Sequence, residues 1–238
     1  MSTIGVTFDS HGCKLLGRMW LGKAEGPKPT VLLLHGLPGI DQNHDLAFAL
    51  KNIGWNSLVF HYRGSWGSDG TYSLHNVLPD IDNALDFLKN HSEVDAENIV
   101  VCGHSLGGWA AVMTGARHPE VKGVISLAGV ADWSEMGLPA EYAAENMAPY
   151  LNGITGAKIV KEKSHLEQAT DHVTKLNGRP LLVVQGDQDA AVHMSQSQRL
   201  KDLYPEHTML QIIEGADHGY SWEREEMIGT VLKWVARF

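Results

Sequence analysis

The pentapeptide Gly-His-Ser-Leu-Gly at residues 103–107 constrains the fold of this chain more than any other stretch. It follows the apolar run 99–102 and precedes a helix-like run that begins at Gly108. Glycines that flank a serine between a strand and a helix are typical of a sharp, crowded turn, because small residues let the backbone fold back on itself. The pattern predicts that Ser105 lies at a strand end, in front of a helix N-terminus whose free N–H groups favour negative charge.

Length and charge set the broad class of the protein. The chain has 238 residues, 43% of them hydrophobic, and a formal net charge of −9. We expect one α/β domain over residues 1–238. The acidic balance argues against nucleic acid or an anionic membrane surface as the main partner. No apolar run approaches the length of a membrane span, and no basic-then-apolar leader opens the sequence, so we expect no membrane insertion and a cytoplasmic protein.

Two cysteines, Cys13 and Cys102, complete this picture. They lack a metal-like spacing, and Cys102 stands in an apolar run that predicts a buried free thiol. A reducing compartment fits such cysteines. We expect no metal and no organic cofactor, and the sequence predicts no particular oligomeric state.

Apolar runs alternate with helical patterns along the chain. This alternation predicts a mostly parallel central sheet with helices on both faces, edged by an antiparallel hairpin from residues 4–8 and 15–20. Further strands are predicted at 31–34, 55–60, 99–102, 124–128, 180–184 and 208–213. Helices are predicted at 46–53, 77–90, 108–116 and 227–235.

The segment from about 130 to 178 interrupts this alternation. It is far longer than a direct connection between two strands requires, and connections of this length are usually functional or structured. Helix-like stretches at 140–150 and 158–162 predict a small helical cap over the carboxyl edge of the sheet. The alternative is a pair of ordinary surface helices without contact to a site.

A serine hydroxyl is a weak nucleophile, so catalysis by Ser105 requires a base and a carboxylate that orients the base. His218 directly follows the last predicted strand, which places it at the same sheet edge as the serine. The preceding strand is followed by Asp187 and Asp189. We favour Asp189, which stands further into its loop and can turn back toward the histidine, whereas Asp187 suits a bracing role in the turn. Asp132 is the outside alternative.

Attack of the Ser105 hydroxyl on a carbonyl carbon would create an oxyanion that needs preorganised hydrogen-bond donors. The backbone N–H of Leu106, the residue after the serine, is one candidate. The early loop 35–39 is expected to supply the second, and Leu37 is the best donor there because Pro38 has no N–H. We interpret His104 as pointing away from the serine, as neighbours in such a turn do.

These motifs together resemble the α/β-hydrolase superfamily over nearly the whole chain. The residues that carry the resemblance are His35-Gly36-x-x-Gly39, Tyr62-Arg63-Gly64-x-x-Gly67, Gly103-His104-Ser105-Leu106-Gly107-Gly108, Gly186-x-x-Asp189-x-x-Val192 and His218. Within the superfamily the chain looks like compact intracellular carboxylesterases, including the feruloyl (cinnamoyl) esterases. It is also similar to dienelactone hydrolases, serine aminopeptidases and monoacylglycerol lipases.

The resemblance implies an α/β-hydrolase fold and a serine hydrolase that cleaves small to medium acyl or aryl esters, hydroxycinnamoyl esters among them. Apolar residues of the expected cap would line the substrate pocket, namely Trp133, Met136, Leu138, Tyr142 and Met147. The expected partner is therefore a small-molecule ester. A serine peptidase or amidase with the same triad is the alternative, ranked second because esters need less assistance to the leaving group. A non-catalytic binding protein of this fold is the third hypothesis.

Overall fold

The computed structural model describes residues 2–238, and its strands form one eight-stranded sheet. The order across the sheet is β1-β2-β4-β3-β5-β6-β7-β8, antiparallel at the β1-β2 and β2-β4 pairs and parallel elsewhere. The strands are β1 Thr3–Ser10, β2 Cys13–Trp20, β3 Lys28–Leu34, β4 Asn56–Phe60, β5 Val94–His104, β6 Gly123–Leu127, β7 Leu181–Gly186 and β8 Thr208–Ile213. The predicted edge hairpin and mostly parallel sheet are confirmed.

Seven α-helices accompany this sheet within residues 2–238. They are α1 His44–Asn52, α2 Val77–Lys89, α3 Leu106–Arg117, α4 Ala140–Asn146, α5 Gly156–Lys163, α6 Met194–Leu203 and α7 Arg224–Val235. None of them has both the length and the apolar content that crossing a membrane would require. Helices cover both faces of the sheet, as predicted: α1 and α7 pack on one face, and α2, α3 and α6 contribute to the core on the other.

The parallel strands are buried on both sides, so they read as continuous apolar runs rather than alternating ones. In β3, Val31 and Leu33 belong to the core beneath α1 and α7, while Leu32 and Leu34 belong to the opposite core. All four side chains are at most 1% exposed. This double burial explains why the central strands could be recognised from the sequence.

The structure differs from the sequence prediction at two helices. The single helix predicted at 140–150 is wrong: α4 ends at Asn146, and a separate 3-10 helix spans Ala148–Tyr150. Pro149 lacks the N–H that a continuous α-helix needs at that point. Helix α6 was not predicted, because its sequence is mostly polar and only a narrow stripe of it, including Leu200, is buried.

A very close backbone contact joins β5 to α3 around Ser105. A Cβ atom on Gly103 would overlap the carbonyl oxygen of Gly107, and a Cβ on Gly107 would overlap the carbonyl oxygen of Leu34 on β3. Only glycine fits at either position. The first turn of α3 therefore rests directly on the carboxyl ends of β3 and β5.

We expect Gly107→Ala to lower the free energy of unfolding by about 3 kcal/mol, because the added methyl group overlaps backbone that cannot move aside. Gly229→Ala is the matched control, since a Cβ at this helical glycine of α7 meets nothing within 4 Å. Alanine there should raise stability by about 1 kcal/mol through its higher helix propensity. Urea unfolding of both variants measures the difference, and equal stabilities would contradict the packing argument.

Candidate functional site

Ser105 occupies a strained turn between β5 and α3. Its φ of 57° and ψ of −117° form a combination that side chains rarely adopt and that costs on the order of 1–3 kcal/mol. Its N–H donates to Leu127 O on β6 at 2.9 Å, and its carbonyl accepts from the N–H of Gly108 at 2.9 Å. These bonds hold the conformation, so the side chain of Ser105 stands at the carboxyl edge of the sheet as the sequence predicted.

Asp189 and His218 are in direct contact at the same edge. Asp189 Oδ2 lies 2.8 Å from Nδ1 of His218, and the aspartate side chain is fully buried while 29% of the histidine side chain is exposed. A carboxylate can only accept, so Nδ1 carries the proton and the Nε2 of a neutral imidazole is left as the basic nitrogen. The pair comes from two loops, one after β7 and the other after β8.

Each oxygen of the Asp189 carboxylate accepts two hydrogen bonds. Oδ1 accepts from the N–H groups of Ala191 and Val192, both at 2.8 Å. Oδ2 also accepts from Nε2 of Gln185 at 3.0 Å. Burial disfavours the charged carboxylate, but the bonds from His218 and from these two N–H groups outweigh burial and hold the pKa of Asp189 below its ordinary value. The carboxylate is therefore ionised and fixed in orientation.

Gln185 is a positioning residue that the sequence reasoning missed. It is fully buried in β7, and its Oε1 accepts from Oγ of Ser197 at 2.7 Å. A polar side chain at the end of an otherwise apolar strand must find partners when it is buried. Applied to the run 181–185, this rule could have identified Gln185 from the sequence.

The two residues that carry the candidate oxyanion donors, Leu37 and Leu106, both lie close to the serine. A Cβ on Gly36 would lie 3.1 Å from Cβ of Ser105, so the loop that carries Leu37 runs directly past the nucleophile. Leu106 is the first residue of α3. Neither the Leu37 N–H nor the Leu106 N–H donates to another group within the described residues. Both residues line the same cavity as Ser105.

That cavity has a volume of about 520 Å³ and also contains His218 in its wall. All five predicted pocket residues line it, namely Trp133, Met136, Leu138, Tyr142 and Met147. Its remaining wall is formed by Val130, Gly137, Pro139, Lys163, Ala190, Ala191 and Val192. Among residues 2–238 no hydrogen bond joins the Ser105 hydroxyl to His218; in ligand-free enzymes this contact is often long and tightens on substrate binding.

The other carboxylates that the sequence offered are engaged elsewhere. Asp187 accepts the N–H of Gly215 at 2.8 Å, so it braces the loop that leads to His218. Asp132 forms an ion pair with Arg199 at 2.8 Å and caps the N–H of Ser134. Neither contacts His218, which leaves Asp189 as its carboxylate partner.

Two further residues fix the position of His218: His104, which the sequence analysis considered only for its orientation, and Arg224, which it did not consider. Nε2 of the buried His104 donates to the carbonyl oxygen of His218 at 2.7 Å, and burial lowers the pKa of His104 to about 4, with a further contribution from His218. Arg224 donates to the carbonyl oxygen of Gly219 at 3.3 Å and to Asp45 at 2.8 Å. It thereby ties the histidine loop to the start of α1.

The arrangement can perform nucleophilic substitution at a carbonyl carbon. It presents a serine hydroxyl, an oriented imidazole and two N–H groups without partners at one cavity. The wall of this cavity is mostly apolar. These are the groups that an acyl-transfer site requires.

Comparison with known structures identifies the fold. Est1E from Butyrivibrio proteoclasticus, solved with ferulic acid bound, matches with a TM-score of 0.79 and 23% identity over 98% of both chains. An esterase from Pyrococcus furiosus matches with a TM-score of 0.76 and 21% identity, over 99% of this chain and 91% of its own. At these identities the likeness shows the fold alone, which is that of the α/β hydrolases, as predicted.

Sequence comparison identifies the family. YfhR from Escherichia coli O157:H7 is 24% identical over 221 residues, which cover 89% of this chain and 72% of YfhR. The YfhR of Salmonella typhi is matched over 66% of its length, so this chain spans about two thirds to three quarters of these relatives. The sequence profile of the prolyl oligopeptidase family matches residues 46–238, which is most of the chain. The chain therefore belongs to the prolyl oligopeptidase family of α/β hydrolases.

Proposed function

We propose that this protein is a serine hydrolase that cleaves carboxylic esters through Ser105, His218 and Asp189. The observation that carries the proposal is the 2.8 Å contact between Asp189 Oδ2 and His218 Nδ1, with His218 sharing a cavity wall with the strained Ser105. A buried carboxylate that orients a partly exposed histidine beside a serine is the arrangement that activates a hydroxyl nucleophile.

In the first half of the reaction, Oγ of Ser105 attacks the ester carbonyl carbon while Nε2 of His218 takes the hydroxyl proton. Asp189 holds the imidazole in the tautomer with the proton on Nδ1 and stabilises the imidazolium that forms. The N–H groups of Leu37 and Leu106 stabilise the tetrahedral oxyanion. His218 then gives its proton to the departing alcohol, which leaves Ser105 acylated.

In the second half, a water molecule takes the place of the alcohol. His218 accepts a proton from the water, whose oxygen attacks the acyl carbon and forms a second oxyanion. Collapse of this species breaks the bond to Ser105 Oγ, which regains its proton from His218. The products are a carboxylic acid and free enzyme, and no metal or cofactor takes part in the proposed cycle.

The cavity supports small to medium acyl or aryl substrates. Its volume of about 520 Å³ lies within the range of small-molecule sites, and its wall is mostly apolar. Aromatic rings at Trp133 and Tyr142 suit an aryl acyl group. The likeness to Est1E, solved with ferulic acid bound, makes hydroxycinnamoyl esters the first aryl esters to test.

We further propose that residues 130–178 act as a cap that determines which substrates enter. Support comes from Trp133, Met136, Leu138, Tyr142 and Met147, which all belong to this segment and all line the cavity beside Ser105. The alternative of surface helices without contact to a site does not account for these positions. We also propose, as the sequence predicts, that residues 1–238 form a single domain to which this cap belongs.

A peptidase or amidase activity is the second candidate, and membership of the prolyl oligopeptidase family favours it. The same three side chains would cleave an amide. An amine is a poorer leaving group than an alcohol, so amide cleavage requires a more effective proton donation from His218. We rank ester cleavage first for this reason.

We expect Ser105→Ala to lower kcat for p-nitrophenyl butyrate by about a thousandfold or more, because the nucleophile is lost. The variant should remain folded, since alanine keeps the backbone and leaves the flanking glycines intact. The assay is p-nitrophenol release at neutral pH. Turnover that is undiminished in Ser105→Ala would contradict the assignment. Wild-type protein that neither hydrolyses esters or amides nor reacts with a fluorophosphonate probe would favour a non-catalytic binding protein.

Asp189→Asn and Asp187→Asn form a matched pair of variants two residues apart. We expect Asp189→Asn to lower kcat by about ten-thousandfold, because an amide no longer enforces the productive tautomer of His218. Asp187→Asn should retain near-wild-type activity, since the amide oxygen can still accept the N–H of Gly215. Loss of activity in the second variant alone would show that the carboxylate role is assigned to the wrong residue.

Esterase and amidase activities can be separated with substrates that share an acyl group. We expect kcat/KM for the p-nitrophenyl ester of phenylpropionic acid to exceed that for its p-nitroanilide by about a hundredfold or more, since the ester demands less of the acid His218. Aminoacyl p-nitroanilides test the peptidase candidate directly. A higher kcat/KM for any of these anilides would make the peptidase assignment the better one.

A further inference from the structure

The cavity beside Ser105 contains one side chain with a fixed charge, Lys163, the last residue of α5. The other wall residues are apolar or small, apart from the serine, His218 and Tyr142. Lys163 is half-buried there. Charged side chains are seldom buried in an apolar wall without a partner, and the proposed triad does not require the charge of Lys163.

The ammonium group of Lys163 is held by main-chain oxygens. Its Nζ donates to the carbonyl oxygen of Trp133 at 3.2 Å and to that of Met136. An ammonium has three N–H donors, so one is left without a partner. The two carbonyl groups fix the position of the charge beside the cavity without neutralising it.

No carboxylate of residues 2–238 forms an ion pair with Lys163, because the acidic residues nearby pair elsewhere. Glu162 lies 3.6 Å from Lys158, while Asp132 and Glu135 both pair with Arg199. Burial lowers the pKa of Lys163, which reflects the loss of water around its charge. An unpaired, partly desolvated cation lowers stability, and a bound anion would reverse that effect.

A second donor without a partner belongs to the same wall. Trp133 is buried, and its indole Nε1 has no hydrogen-bond acceptor among residues 2–238. Buried indole N–H groups normally have an acceptor. Trp133 therefore adds a buried donor without a partner to the wall that also carries the charge of Lys163.

We propose that Lys163 forms an anion subsite, so that the acyl groups the enzyme prefers end in a carboxylate. The inference rests on the proposed ester hydrolysis at Ser105 and names its substrate class. A singly charged carboxylate fits a site with one free N–H of a lysine. A phosphate dianion would need more donors, and the cavity wall contains no arginine to supply them.

Binding to the Ser105→Ala protein tests the subsite without any need for turnover. The probes are para-carboxyphenylpropionamide and its neutral isostere para-carbamoylphenylpropionamide, each titrated calorimetrically. We expect the carboxylate to bind about tenfold or more tightly, as a charge-assisted hydrogen bond implies. Equal dissociation constants would overturn the proposal.

Variants of Lys163 separate its charge from its bracing role. In the same Ser105→Ala background, Lys163→Gln keeps two N–H donors for the carbonyl oxygens of Trp133 and Met136 but has no charge. It should bind the neutral probe unchanged and lose the preference for the carboxylate, whereas Lys163→Arg should keep that preference. If Lys163→Gln weakens the binding of both probes equally, the residue has only a structural role and the subsite is refuted. Should Lys163→Gln fail to fold, the Lys163→Arg variant and the comparison of the two probes in the Ser105→Ala protein still test whether the subsite exists.

Turnover of the matching p-nitrophenyl esters distinguishes failure of the subsite from failure of the proposed function. We expect the wild type to show a kcat/KM about tenfold or more higher for the para-carboxy ester than for the para-carbamoyl ester. Ser105-dependent hydrolysis of both esters at equal kcat/KM would leave the esterase intact and refute the subsite. Tight carboxylate binding without hydrolysis of any ester would support the subsite and refute the esterase.

Discussion

Gly103 and Gly107 bring the end of β5 and the first turn of α3 into direct backbone contact, and the position of the candidate nucleophile depends on that contact. It forces Ser105 into a backbone conformation that the surrounding hydrogen bonds to Leu127 and Gly108 then maintain. The residues on either side of Ser105 belong to regular elements, His104 to β5 and Leu106 to α3. The serine side chain is consequently held at the carboxyl edge of the sheet, in the wall of the cavity.

A second set of contacts supplies the partners of the serine. The loops after β7 and β8 meet because Gly186 has no side chain to keep the backbone of Ala216 away. Asp189 then accepts four hydrogen bonds, one of them from the His218 ring. The carbonyl oxygen of His218 accepts a hydrogen bond from His104, which fixes the main chain at this position. Asp189 and His104 are buried, and their hydrogen bonds fix the partly exposed His218 before a substrate arrives. Preorganisation of this kind is what an acyl-transfer site requires.

The sequence predicted the sheet well because its central strands are buried on both faces and read as apolar runs. It failed where polarity or a single proline decided the outcome. Helix α6 has a polar sequence, and Pro149 divides the helix expected at 140–150. Gln185 and Lys163 were missed for a related reason: a lone polar residue acquires a role only from neighbours that are distant in the sequence.

The sequence by itself determined the α/β-hydrolase fold, the strained serine turn, and the order in which Ser105, Asp189 and His218 occur. The strands and the serine turn can be read from short runs of residues, and the candidate partners of Ser105 from the positions that follow two of the strands. Only the folded chain shows that Lys163 reaches the cavity from residues 156–163 and that His104 and Arg224 hold the loop of His218. Such contacts depend on how segments that are distant in the sequence pack together. No periodicity or spacing along the chain encodes them.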